Sequence, residues 1–258
     1  MKTMWYAFLA VLLITLPVKA QHGKYSVQNA HSHNDYEQKN PLFEAYNQGF
    51  GSIEADVHLV NDTLYVAHDA HEIRKERTLE TLYLQPLLGK FRKNKNSIYT
   101  DKTRSLVLLI DLKTGYQETL PILMKTLEPY KKMLMPRGNV QVIISGNTPP
   151  PGLFADYPNY IYFDGRPENT YSAKESKRLG MISQSFRKYN QWKGQGEIAT
   201  EDKARLQAVV EQVHNQNKRI RFWATPDTES AWKLLMDLNA DYINTDSIIP
   251  LSDFLQNQ

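Results

Sequence analysis

The sequence contains no cysteine. That excludes disulfides, thiolate metal ligands, a thiol nucleophile and a lipidated cysteine. After the first twenty residues no apolar run approaches the roughly 20 residues that a membrane-spanning helix needs. The formal charge is only +3 over 258 residues, which lacks the basic excess of an obligatory nucleic-acid partner. No Gly-x-Gly-x-x-Gly follows a strand-like stretch, so a dinucleotide-binding sheet is set aside. Linkers, internal repeats and low-complexity tracts are also missing, and one folded unit is expected.

What is present begins with a leader. Lys2 supplies a charged start, Trp5 to Leu16 is apolar, and Pro17-Val-Lys-Ala20 ends in a small residue. This reads as a secretory signal peptide over residues 1–20, cleaved after Ala20, with a single domain over 21–258. A retained anchor is the alternative, but the run is short for one. The expectation is an exported protein, periplasmic or secreted, whose stability rests on its core. Loss of Lys2 and Lys19 brings the formal charge from +3 to near +1. Between residues 71 and 104, however, nine Lys/Arg face four acids. Such a run is either a solvated face or a field that steers an anion.

Strand-like and helix-like stretches alternate. Strands are expected at Val27–His31, Ser52–Val57, Leu106–Leu112, Val140–Ile144, Ile161–Phe163, Met181–Ser183, Ile220–Trp223 and Tyr242–Asn244, with a short extended return at Leu64–Ala67. Helices are expected at 42–48, closed by Gly49, and at 79–88, 119–130, 201–217, 228–238 and 251–255. Leu106-Val-Leu-Leu-Ile110 is continuously apolar, as a parallel strand buried on both faces must be. Eight strands separated by helices in about 238 residues predict an α/β fold, a single (β/α)8 TIM barrel. An open doubly wound sheet is the rival arrangement.

Barrel chemistry sits at the carboxyl ends of the strands, so the polar residues there define the candidate site. They are His31 and His33, Glu54 and Asp56, Asp111 and Lys113, Ser145, Asp164, Gln184 and Ser185, Trp223, and Thr245-Asp246. Glu54 and Asp56 alternate on one strand and therefore share a face. Carboxylates that close repel, and a divalent cation relieves them. Asp111 ends a five-residue apolar run, so it too needs a cation or a partner, and Lys113 two residues on is the structural alternative. His31 and His68 flank this segment, and imidazole is the side chain suited to proton transfer near neutral pH.

The order His31, Glu54-x-Asp56, His68-Asp69, Asp111-Leu-Lys113, Trp223 and Asn244-Thr-Asp246 resembles the phosphodiesterase barrels. These are the glycerophosphodiester phosphodiesterases, the phosphatidylinositol-specific phospholipases C and the sphingomyelinase D enzymes. Ile53-Glu-Ala-Asp-Val57 and Asp111-Leu-Lys-Thr-Gly115 are the most specific segments, and the likeness runs from about Gln28 to Leu255. The resemblance implies a PLC-like phosphodiesterase barrel that hydrolyses a phosphoric diester by acid–base catalysis. It implies one divalent cation, Mg²⁺ or Ca²⁺, on Glu54, Asp56 and Asp111. It implies His31 and His68 as catalytic residues, and Lys113 and Trp223 in the substrate pocket. Asn34 matches the His-x-x-Asn spacing of sphingomyelinase D. His33 stands between a supporting donor, a ligand and a loop residue, and is grouped with the pocket. The usual His-Arg-Gly is His31-Ser-His33 here and the usual Glu-Asn-Thr is missing, which leaves the substrate broader than the chemistry. A small-molecule or lipid phosphodiester is expected, with contact to membrane lipid at most peripheral and no protein partner.

Two rival functions stand beside this one. His31-x-His33 also resembles the metal-binding start of amidohydrolases, but six of the seven histidines lie at or before residue 71 and the seventh is His214, so later-strand ligands are lacking. A non-catalytic barrel binding a phosphorylated or lipid ligand would not need every acid–base and metal position filled. His58 is expected on a surface loop, His71 is a substitute for His68, and His22 and His214 are expected at the surface.

Overall fold

In the computed structural model, residues 25–257 are described; the expected leader and His22 lie outside them. Nine strands form one sheet: β1 (Ala30–Ser32), β2 (Ser52–Val60), β3 (Thr63–Val66), β4 (Leu106–Leu112), β5 (Val140–Gly146), β6 (Ile161–Gly165), β7 (Leu179–Ser185), β8 (Ile220–Trp223) and β9 (Ile243–Thr245). All but β3 run parallel, in the order β8-β7-β6-β5-β4-β2-β1-β9. A single parallel bridge from Arg221 to Tyr242 joins the two ends. The result is a nearly closed barrel of eight parallel strands, the α/β TIM fold that the alternation implies.

The helices α1 (Phe43–Gln48), α2 (Gln85–Lys93), α3 (Tyr116–Leu127), α4 (Ala173–Ser176), α5 (Thr200–His214), α6 (Glu229–Asp237) and α7 (Ile248–Gln256) lie between and after the strands. Gly49, at φ +86°, ends α1 as expected, because glycine enters the left-handed region without Cβ strain. The Thr228 hydroxyl accepts from Ala231 N and caps α6.

Strand parity separates the two apolar clusters. Leu106, Leu108, Ile110 and Leu112 join the large cluster beneath the helices, whereas Val107 and Leu109 pack with Ile143, Met181 and Tyr242 inside the barrel. Each fully buried aliphatic side chain is worth about 1.5–3 kcal/mol, so β4 alone anchors the sheet from both faces. Continuing the inward parity of β4 brings Asp111 to the mouth, and the same step brings Asp56 there on β2.

Two expectations are corrected. The first strand starts at Ala30, because the Ser26 hydroxyl caps a 3-10 turn over Val27–Asn29. β2 does not stop at Val57. It runs to Val60 and turns at Asn61 and Asp62, both at positive φ, into antiparallel β3. His58 therefore sits in the β2–β3 hairpin and is buried, not on a surface loop.

Candidate functional site

The register sets the site. Asp56 on β2 pairs with Asp111 on β4, and Asp111 with Ser145 on β5. Parallel partners share a face, so Glu54, Asp56 and Asp111 all point into the mouth of the barrel. The Lys113 ammonium lies 2.8 Å from Asp56 Oδ2 and 3.0 Å from Asp111 Oδ1. The structural pairing of Asp111 with Lys113 exists, and it includes Asp56.

His31, the middle residue of β1, is wholly buried. Its Nδ1 contacts Ser52 Oγ at 2.7 Å, and its Nε2 lies 2.9 Å from Glu54 Oε2. The Arg221 guanidinium closes on both His31 Nε2 and Glu54 Oε2. Burial, reinforced by the Arg221 charge, pushes the His31 pKa down to about 3, against the pull of Glu54. The ring is therefore a neutral one, a donor at one nitrogen and an acceptor at the other. Burial works against the Glu54 charge, but Arg221 and the His31 hydrogen bond hold its carboxyl well below the usual range.

Of the two expected catalytic histidines His68 is the accessible one, with half its side chain exposed. Its Nδ1 lies 3.3 Å from both Asp56 Oδ2 and the Tyr36 hydroxyl, and His58 Nε2 contacts its carbonyl at 3.2 Å. Tyr36 donates to Asp56 Oδ2 at 2.7 Å and also lies 2.9 Å from Asn34 Oδ1. Asn34 itself is left-handed at φ 46°. His33 Nδ1 contacts Asp246 Oδ1 at 2.8 Å, and its Nε2 faces Glu54 Oε1 at 3.9 Å. Burial works against the His33 charge, but Asp246 and Glu54 outweigh it and raise the pKa. Trp223 stands half-exposed at the end of β8. His71 is exposed and contributes nothing to this network.

Each acid has one oxygen taken and one left. Glu54 Oε2 is held by His31 and Arg221, and its Oε1 has only the distant His33. Asp56 Oδ2 accepts from Tyr36 and Lys113, while its Oδ1 is buried with no donor. Burial, then the Glu54 charge, raise the Asp56 pKa against Lys113. Asp111 Oδ1 faces Lys113. A buried carboxylate oxygen without a partner is costly, and a hard cation is the partner that oxygen donors suit. Among the described residues no three acids or imidazoles already close around one point. Lys113 and Arg221 hold the acids instead. The donors fit a cation in kind, with Asp56 Oδ1 as the group that needs it.

Sequence reasoning passed over Tyr36, Ser52 and Arg221. Arg221 was detectable as the one charge inside Ile220–Trp223, on the parity of Trp223. Of the basic segment, only Arg74 and Arg77 reach the site, where they line a cleft of about 300 Å³ with Tyr36 and His68.

Comparison with known proteins finds phosphodiesterase-family matches. Residues 23–164, more than half the chain, match the AIM6-like phosphodiesterase domain, and residues 219–247 match the glycerophosphoryl diester phosphodiesterase family. Altered inheritance of mitochondria protein 6 from Kluyveromyces lactis is 28% identical over 88% of this chain and 72% of its own length. The Arthroderma benhamiae homolog of that protein is 28% identical over 84% and 81%. The Saccharomyces cerevisiae protein is 26% identical over 87% and 70%.

Proposed function

The chain belongs to the AIM6-like phosphodiesterase domain family, and from that membership we propose that it is a metal-dependent phosphoric diester hydrolase acting on glycerophosphodiesters or phospholipid headgroups. One observation carries the reading: Glu54, Asp56 and Asp111 converge on one face of the barrel mouth, and the buried Asp56 Oδ1 has no donor. Glu54, Asp56 and Asp111 would hold one Mg²⁺ or Ca²⁺, which when bound neutralises the diester and stabilises the charge that develops on it.

The chain's own residues do the rest. Lys113 sets a fixed positive charge at the mouth, where an anionic diester would otherwise be repelled. Asp56 and Tyr36 orient His68 through Nδ1, which leaves Nε2 to exchange a proton with the substrate. His31, the second proposed acid–base, meets substrate only when Glu54 and Arg221 both release its Nε2. Until then it positions Glu54 as a neutral ring. Trp223 and Asn34 border the pocket, and the cleft beside His68 gives the leaving group room. Water attack yields a phosphomonoester; attack by a substrate hydroxyl yields a cyclic phosphate. The leader composition supports export after cleavage at Ala20, which N-terminal sequencing of the mature protein tests.

The deciding experiment is hydrolysis of bis(p-nitrophenyl) phosphate and glycerophosphodiesters, followed by phosphorus NMR with and without chelator. Chelator-sensitive turnover is expected. Glu54→Gln should lower metal affinity, read by titration calorimetry, together with rate. No turnover on any diester and no metal uptake would leave a phospho-ligand-binding barrel as the better reading.

A further inference from the structure

Two strands round from Asp111, a second polar group lines the same mouth. Asp164, at the end of β6, is buried inside the barrel. Its Oδ2 accepts from the Ser145 hydroxyl at 2.9 Å, from the Ser183 hydroxyl, and from Arg166 Nη1 at 2.7 Å. Its Oδ1 is buried without a donor. One layer lower the same strands present Ile143 and Met181. A mouth kept only for stability would continue that apolar filling, because burying a carboxylate costs several kcal/mol before its partners are counted. The polar ring runs Asp111, Ser145, Asp164, Ser183, with Asp111 and Ser145 in register.

Arg166 is what this group supports. All of its side-chain contacts fall on Nη1, which reaches Asp164, the Gly165 carbonyl at 2.8 Å and Ser183 Oγ at 3.4 Å. Arg178 differs: it uses both terminal nitrogens on the carbonyls of Tyr157, Pro158 and Ile161 and is consumed as a tie. The backbone of Arg166 is fixed as well, since the Tyr171 hydroxyl accepts from its N–H at 2.7 Å and donates to its carbonyl at 3.3 Å. About a third of the side chain remains exposed at the mouth. Burial opposes its charge, Asp164 more than restores it, and the Asp111 field also reaches it. A guanidinium held at one nitrogen, with the rest of its fork open, matches the geometry of a phosphate oxygen pair.

We infer that Arg166 is a substrate-binding residue for the phosphoryl oxygens, on the other side of β5 from Lys113 in the strand order, and that Asp164 is its positioning residue. The inference rests on the phosphodiester reading but is tested separately from it. The chelated, metal-free protein is titrated with inorganic phosphate, and kcat/KM on bis(p-nitrophenyl) phosphate is measured for the metal-loaded protein. Wild type, Arg166→Gln, Arg166→Lys and Asp164→Asn are compared, with thermal melting as the check on folding. Arg166→Gln is expected to weaken phosphate at least tenfold and lower kcat/KM by a similar factor. Arg166→Lys should recover part of both, and Asp164→Asn should lose part of both. If the wild type cleaves no diester, the function reading falls, and phosphate affinity alone still decides the role of Arg166. A wild type that binds no phosphate, or an Arg166→Gln variant that matches it in both assays, overturns the inference.

Discussion

Asp56 and Asp111 stand side by side in register on neighbouring parallel strands, and one ammonium, that of Lys113, closes on both at 2.8 and 3.0 Å. Burial works against the Lys113 charge, but Asp111 and Asp56 outweigh it and raise the pKa, so it is a permanent charge at working pH. Such a fixed donor aimed at developing charge is worth about 10²–10³ in rate. Lys113→Met is expected to lower kcat/KM on a diester by that factor. Steady-state kinetics on a variant with an unchanged far-UV spectrum check it, and wild-type kinetics would remove Lys113 from the mechanism.

Arg221 has the opposite character: it is buried, and its charge is spent on Glu54. Removing one partner of a buried pair leaves the other uncompensated, at a cost of about 3–5 kcal/mol. Arg221→Met should therefore shift the urea midpoint strongly. Adding Glu54→Gln to it should recover much of the loss, because the stranded charge is then gone. Equal destabilisation of single and double variants would show that packing, not charge, sets the cost.

How far the sequence speaks for this fold follows from these residues. β4 and β8 have their expected bounds, Leu106–Leu112 and Ile220–Trp223. β4 is a continuous apolar run buried on both faces. Asp56, Asp111 and Lys113 are expected at strand ends and meet at the barrel mouth, although β2 itself runs on to Val60, since parity and parallel register carry the alternation straight into space. His58 falls within β2 and not on a loop because the turn at Asn61-Asp62 lengthens that strand, which the alternation does not signal. Arg221 was missed for a different reason. Its partners, His31 and Glu54, lie 190 and 167 residues earlier, and only barrel closure joins β8 to β1 and β2. Periodicity within a segment carries no trace of that.

Gly146, the last residue of β5, sits at φ +71° against the site. A Cβ there would stand 2.5 Å from the Leu112 carbonyl and 2.6 Å from Asp111 Oδ1. Gly146→Ala is expected to cost about 1–3 kcal/mol in backbone strain and to displace Asp111, so that metal affinity falls with stability. Calorimetric titration with Mg²⁺ or Ca²⁺ beside urea unfolding separates the two. Loss of stability with intact metal affinity would show that Leu112, not Asp111, yields.

Asp35 gives the pH dependence. Its Oδ2 accepts from Leu42 N at 2.6 Å and from the Tyr83 hydroxyl at 2.9 Å, its Oδ1 from Ser32 at 2.9 Å, and the group is fully buried. Burial outweighs these donors and lifts its pKa from 3.8 to about 6. The raised value means the protonated form is favoured in the fold. Its contribution is complete below pH 4 and is lost as pH rises through 6, since the unfolded chain gives up the proton first. A shift of about two units corresponds to about 3 kcal/mol. Asp35→Asn keeps acceptors for Leu42 and Tyr83 and turns its amide to the Ser32 hydroxyl, with no charge to bury. The variant should therefore gain on the wild type by up to about 3 kcal/mol between pH 4 and pH 7, read as the difference of urea unfolding free energies. A difference flat across that range would show that Asp35 stays ionised in the fold, its three donors outweighing burial.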